Sequence, residues 1–187
     1  MNQKPTIIGI TGPFGSGKTT AASFFENKGF YRITLSSFLE EELQRAGREI
    51  TRKNLQDLGN LWRAQKGSGI LAAKSLEFAS RNNIGRVVVD GIRNIGEIEQ
   101  FKKSSNFTLI GVLANKSVRL ERLQKLKRRE KLTRELFDNL DYRDLGMGKK
   151  GSGLQVAVCL LLSDYFILNN ATLEEFDTKL KEILNKL

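Results

Sequence analysis

The sequence predicts an α/β fold: a parallel sheet with helices packed on its faces. Three observations lead there. Strand-length apolar runs alternate with helix-length amphipathic segments, the pattern of successive βαβ units. A glycine-rich turn joins the first apolar run directly to the first helical one. No internal repeat and no long linker divides the 187 residues, a length suited to one compact domain (1–187) with a small insertion.

Strands are expected at 6–11, 30–35, 85–90, 107–113 and 164–168. Helical patterns occupy 17–28, 37–46, 51–65, 70–82, 95–103, 117–127, 133–140 and 154–162. A last helix starts at Thr172, where Thr172-Leu173-Glu174-Glu175 has the form of a capping box. The second and third strand runs stand too far apart for one crossover helix. The helices inserted at 36–84 are a natural acceptor-binding region. The stretch Gly146-Met147-Gly148-Lys149-Lys150-Gly151-Ser152-Gly153 reads as a joint, either the hinge of a lid spanning 128–153 or a surface loop.

Composition narrows the chemistry. The chain has no histidine, which excludes histidine bases, triads and metal ligands. Its single cysteine, Cys159, lies in Val156-Ala157-Val158-Cys159-Leu160-Leu161-Leu162 and reads as a small buried apolar residue in a reducing cytosol. That apolar run is far shorter than the roughly 20 residues needed to span a bilayer, and a cytoplasmic location without a membrane partner is expected. The net charge of +10 points to anionic partners. Much of the basic excess falls at 116–134, in Lys116, Arg119, Arg122, Lys125, Lys127, Arg128, Arg129, Lys131 and Arg134.

The turn after the first strand reads Gly12-Pro13-Phe14-Gly15-Ser16-Gly17-Lys18-Thr19 and satisfies every required position of the P-loop. Glycines let the backbone curl with its N–H groups inward, and the helix that follows adds the positive end of its dipole. Gly12, Phe14, Gly15, Ser16, Gly17, Lys18, Thr19 and Thr20 are therefore expected to hold ATP. Lys18 serves the β- and γ-phosphates and the Thr19 hydroxyl serves Mg2+.

Other motifs separate the P-loop classes. Asn115-Lys116-Ser117-Val118 lacks the acid that reads guanine, and Asp90-Gly91-Ile92-Arg93 does not end in the glycine of a GTPase switch. Val87-Val88-Val89-Asp90 is followed by Gly91 where a hydrolytic ATPase carries a glutamate. An aspartate there suits a magnesium site without a water-activating base, and a turn or capping role is the alternative.

Asp90-Gly91-Ile92-Arg93 resembles the Asp-Gly-x-x-Arg element of nucleoside monophosphate kinases, one residue shorter. With the cradle, Arg119-Leu120-Glu121-Arg122-Leu123 and the closing Ser163-Asp164-Tyr165-Phe166-Ile167-Leu168-Asn169-Asn170, most of the chain is similar to the archaeal adenylate kinase-like and dephospho-CoA kinase-related proteins. The resemblance implies a P-loop NTPase fold with a five-stranded parallel sheet and a mobile basic lid. It implies Arg93 on the acceptor phosphate, Arg119 stacked on adenine, and Arg122 and Arg128 neutralising the transferred phosphoryl group.

The acceptor side departs from that family. Ser36-Ser37-Phe38-Leu39-Glu40 stands where relatives carry Gly-Asp and then an arginine, and Leu140-Asp141 stands where an arginine–aspartate pair is expected. Arg48, Arg52 and Arg63 in the inserted helices are replacements. Arg63 is favoured because Gly67-Ser68-Gly69 follows it closely. A phosphate acceptor needs no strong base, whereas a hydroxyl acceptor needs a carboxylate such as Glu40, Glu41 or Asp90. The expected function is phosphoryl transfer from Mg-ATP to a small nucleotide acceptor. The rivals are a ribose-hydroxyl kinase of the dephospho-CoA type and a nucleotide-dependent RNA-binding protein.

Overall fold

The computed structural model describes residues 4–125, 132–147 and 153–187. Along the chain run β1 (Thr6–Thr11), α1 (Lys18–Glu26), β2 (Tyr31–Thr34), α2 (Ser37–Arg45), α3 (Arg52–Lys66), α4 (Ile70–Arg81) and β3 (Arg86–Ile92). Then follow α5 (Ile95–Ser104), β4 (Asn106–Leu113), α6 (Lys116–Lys125), α7 (Arg134–Leu145), α8 (Val156–Leu161), β5 (Tyr165–Leu168) and α9 (Leu173–Leu184). The five strands form one parallel sheet in the order β2-β3-β1-β4-β5. This is the five-stranded P-loop NTPase sheet that the sequence implied.

Alternation along the strands divides the core between two faces. Ile7, Val87, Val89 and Leu109 face a cluster that takes in Leu39, Leu55, Trp62, Leu71, Phe101 and Cys159. Ile8, Ile10, Val88 and Ile110 face the other, with Phe24, Phe25, Phe176 and Leu180 of α1 and α9. Cys159 is buried as its setting suggested, and burial pushes its thiol up to about 12. No helix among the described residues is long and apolar enough to cross a membrane.

The inserted region is α2, α3 and α4, between β2 and β3. Thr51 caps α3 by accepting from the Asn54 N–H at 3.1 Å, and the helix ends at Gly67, whose φ is 97°. Thr172 caps α9 through the Glu175 N–H at 3.3 Å, but the Glu175 carboxylate accepts from Lys179 rather than completing a capping box. A reciprocal box forms instead at Asn94 and Glu97, which start α5. Helix α7 runs on to Leu145 rather than stopping at 140, and Gly146 closes it with φ 86°. The extension has little apolar periodicity because its buried positions include Asp141 and Asp144, held by arginines.

Candidate active site

β1 lies where the chain's connections part, with β3 and β2 on one side and β4 and β5 on the other. Ligands of open α/β sheets bind in the crevice beyond the strand ends at such a point. A cavity of about 860 Å³ opens there. Its walls include Phe14, Gly15 and Gly17 to Thr20 after β1, Thr34 at the end of β2 and Ser36 beyond it, Asp90, Gly91 and Arg93 at the end of β3, and Asn169 after β5.

The loop after β1 has the cradle's shape. Gly12 has φ 148°, and a Cβ there would lie 2.2 Å from the Val112 carbonyl oxygen. Gly17 has φ 104°, and a Cβ would lie 2.3 Å from the Asn169 amide nitrogen. Both positions require glycine for conformation and for space. Helix α1 starts at Lys18 without a side-chain cap, which leaves its N-terminal N–H groups and dipole for an anion. Asn169 braces the loop by donating to the Ser16 carbonyl at 2.9 Å, and the Ser16 hydroxyl is buried without a partner among the described residues.

Lys18 is buried and donates to the Gly12 and Pro13 carbonyls at 2.7 and 2.8 Å. Burial, reinforced by the nearby Arg93 guanidinium, pushes its ammonium down to about 7. A group so placed gains from an anion that would hold its proton.

Thr19 and Asp90 meet as expected, with the Thr19 hydroxyl donating to Asp90 Oδ2 at 3.1 Å. Asp90 lies within β3 rather than in a turn, which removes the capping alternative. Arg32 of β2 also donates to Asp90 Oδ2, at 2.8 Å. Arg93 lines the cavity and its Nη1 donates to both Asp144 oxygens, at 2.8 and 2.7 Å. Arg52, at the start of α3, lines it too and reaches Asp144 Oδ2 at 2.6 Å. Burial alone would raise the Asp144 carboxyl, but Arg52, Arg93 and Lys18 hold it well below the usual carboxylate range.

Two expected site residues lie elsewhere. Arg63 is not among the residues lining the cavity. It is 3% exposed and grips fully buried Glu97, with Nη2 to Oε1 at 2.7 Å. Of the glycines behind it, Gly69 serves packing, since a Cβ there would lie 2.6 Å from the Gly96 carbonyl oxygen, and Gly67 closes α3. Arg119 is likewise withdrawn, paired with both Asp141 oxygens at 2.5 and 2.9 Å and donating to the Phe14 carbonyl at 2.9 Å. It fastens the cradle to α6 and α7. Arg122 lines the cavity instead, beside Leu123, Ala171, Leu173 and Phe176, and donates to the Asn169 carbonyl at 2.9 Å. Arg128, with 129–131 and 148–152 of the expected lid, lies outside the described residues.

Arg32, Asn169 and Asp144 belong to the site without a sequence motif that marks them for it. Arg32 stands on an edge strand, where a charged residue ordinarily faces solvent. Asp144 fell beyond the predicted end of its helix. Three positions past Leu140-Asp141, Asp144 holds the two cavity arginines while Arg143 pairs with Asp57.

Comparison with known proteins agrees with this architecture. An AAA domain model matches residues 8–144. A UPF0200 protein of Sulfurisphaera tokodaii is 36% identical over 182 residues, 97% of each chain. Among solved structures, TT1252 from Thermus thermophilus superposes with TM-score 0.62 at 22% identity, covering 99% of both chains. Shikimate kinase from Acinetobacter baumannii, solved in complex with shikimate, gives TM-score 0.59 at 17% identity over 98% of this chain and 94% of its own. These two likenesses speak to the fold alone. The chain belongs to the UPF0200 family, and its AAA domain has the P-loop kinase-like fold.

Proposed function

We propose that this chain is an ATP-dependent phosphotransferase of the nucleoside monophosphate kinase type, acting on a small phosphorylated nucleotide. One observation carries the reading. A single cavity brings together an uncapped phosphate cradle bearing Lys18 and the guanidiniums of Arg32, Arg52 and Arg93. Phosphoryl transfer asks little covalent chemistry of a protein beyond bringing donor and acceptor into line and opposing the charge spread over the transferred group. A cavity lined by one lysine and several arginines fits that requirement.

The residues present fit Mg-ATP. Gly15 and Gly17 give the phosphates a wall without Cβ atoms, with Phe14 and Thr20 beside them and Gly12 and Ser16 shaping the loop behind, and Lys18 is their counter-charge. The Thr19 hydroxyl and Asp90 carboxylate offer magnesium adjacent oxygens. No group of three or more acidic or cysteine side chains suited to a metal occurs among the described residues, and magnesium sites on phosphates use few protein ligands. Bound magnesium supplies charge neutralisation on phosphate oxygens. Arg122, Leu173 and Phe176 lie at the side suited to the base, and Arg93 and Arg52 at the side suited to the acceptor phosphate. Arg128 remains a candidate for the closing lid.

Lys18 makes nucleotide binding pH-dependent. An anion that stabilises its ammonium raises its pKa from about 7, so binding takes up a proton when pH exceeds that value. Affinity for Mg-ATP is expected to fall between pH 7.5 and 9, approaching tenfold per unit. Calorimetry in buffers of different ionisation enthalpy measures the uptake, and its absence over this range would contradict the assignment of Lys18.

A second reading, phosphorylation of a hydroxyl, is favoured by Glu40. It lines the same cavity and accepts from the Ser36 hydroxyl at 3.0 Å. ADP formation from Mg-ATP across ribo- and deoxyribonucleoside monophosphates and dephospho-CoA separates the two. One monophosphate is expected to stimulate turnover at least tenfold over the acceptor-free rate. Arg93→Gln should raise its KM by one to two orders of magnitude, as loss of a charged hydrogen bond worth about 1.5–3 kcal/mol would. Stimulation by dephospho-CoA alone would transfer the assignment to Glu40, and no stimulation would reject both.

A further inference from the structure

We infer that Asp144 is a positioning residue for the acceptor: it stands behind Arg52 and Arg93 and fixes both guanidiniums at the wall of the cavity. The inference rests on the phosphate-acceptor reading above and extends it to a residue in the far segment of the expected lid.

The geometry distinguishes Asp144 from a ligand of the substrate. Arg52 and Arg93 line the cavity, whereas Asp144 does not and is 0% exposed. The acid therefore lies on the protein side of the two cations. Its Oδ2 accepts from Arg52 Nη2 and Arg93 Nη1 at 2.6 and 2.7 Å, and its Oδ1 accepts from Arg93 Nη1 and Gln56 Nε2 at 2.8 and 2.9 Å. These bonds tie one carboxylate to α3 and to the segment between β3 and α5. Two arginines held this closely would repel each other without the acid between them. With it, the group keeps one net positive charge, and Lys18 and Arg32 line the same cavity.

Asp144 also connects two regions distant in the chain. It arrives on α7, which two further polar contacts fasten along α3. Arg143 Nη2 donates to Asp57 Oδ1 at 2.6 Å, and Gln56 Nε2 reaches the Leu140 carbonyl at 3.4 Å. Arg52, Gln56 and Asp57 thus meet Leu140, Arg143 and Asp144 along one seam. Phe14 extends the seam into the cradle, with its ring 4.4 Å from the Arg52 guanidinium carbon and 6.2 Å from the Phe137 ring of α7. Docking of α7 and alignment of the acceptor arginines are one structural event.

The test compares wild type with Asp144→Asn, Asp144→Glu, Arg93→Gln and the Asp144→Asn/Arg93→Gln double variant. Each is the full chain, assayed with Mg-ATP and the nucleoside monophosphate that wild type uses best, alongside calorimetric Mg-ATP affinity and thermal melts. Asp144→Asn is expected to raise acceptor KM at least tenfold while changing Mg-ATP affinity less than threefold. Asp144→Glu, which keeps the charge, should recover part of the loss. The double variant should raise acceptor KM by clearly less than the product of the two single effects, because the acid acts partly through that arginine and partly through Arg52.

Equal losses of donor and acceptor binding that follow the melting temperature, or independent multiplication of the two effects, would overturn the inference and leave the phosphate-acceptor reading standing. If Asp144→Asn does not fold, Asp144→Glu with unchanged acceptor KM overturns it and with raised acceptor KM alone supports it. If wild type accepts no monophosphate, the reading and the inference fall together.

Discussion

Replacing Lys18 by alanine is expected to lower kcat for phosphoryl transfer by a factor of at least about 100 to 1000, the cost of removing one preorganised charge from a transferring group. The side chain contributes little that another residue could replace. It is buried at the mouth of α1, and its nitrogen already sits on two carbonyls of the loop that would enclose the phosphates. The fold should survive, because the alanine removes a buried cation whose ionisation burial and Arg93 already disfavour. Steady-state kinetics with a thermal melt on the same sample checks both parts. Turnover within tenfold of wild type at an unchanged melting temperature would place the chemistry away from the cradle.

Arg63→Ala should act on stability rather than on the acceptor. Its partner Glu97 is fully buried and also accepts from the Arg93 and Asn94 N–H groups at 2.8 and 3.1 Å, where α5 begins. Removing the guanidinium leaves an uncompensated buried charge, for which a loss of about 3–5 kcal/mol is expected. For a chain of this size that lowers the melting temperature by roughly 6–20 °C. Acceptor KM measured well below the melting transition should stay within about threefold of wild type. A large KM change at unchanged stability would return Arg63 to the role its sequence position suggested.

That reversal shows where the sequence was legible. The sheet and cradle were readable because their signals are local: apolar runs, a glycine spacing, and a helix following at once. The acceptor wall was not, because it depends on which end of a helix meets which neighbour. Arg52 and Arg63 are eleven residues apart, three turns plus about 20°, so they share one face of α3. Helical periodicity cannot separate them, yet one reaches the cavity and the other lies under α5 some 16 Å along the axis.

Arg119 was misplaced for a related reason. Its family motif marks an arginine near the nucleotide, but Asp141 draws it beneath the cradle and leaves Arg122 on the cavity wall. Asp144 was not legible because it is buried by ion pairing, which leaves no hydrophobic period to read. The Asp90–Arg32 contact joins neighbouring strands far apart in sequence, a pairing set by sheet order alone.

The identity of the bond formed on the acceptor tests the central claim most directly. Phosphorus NMR of the product, made from Mg-ATP and the preferred acceptor by wild-type protein, reads that bond. The account predicts coupled doublets of a new diphosphate, formed when an acceptor phosphate held by Arg93 and Arg52 receives the phosphoryl group. An uncoupled phosphomonoester signal would contradict it and identify a hydroxyl as the nucleophile.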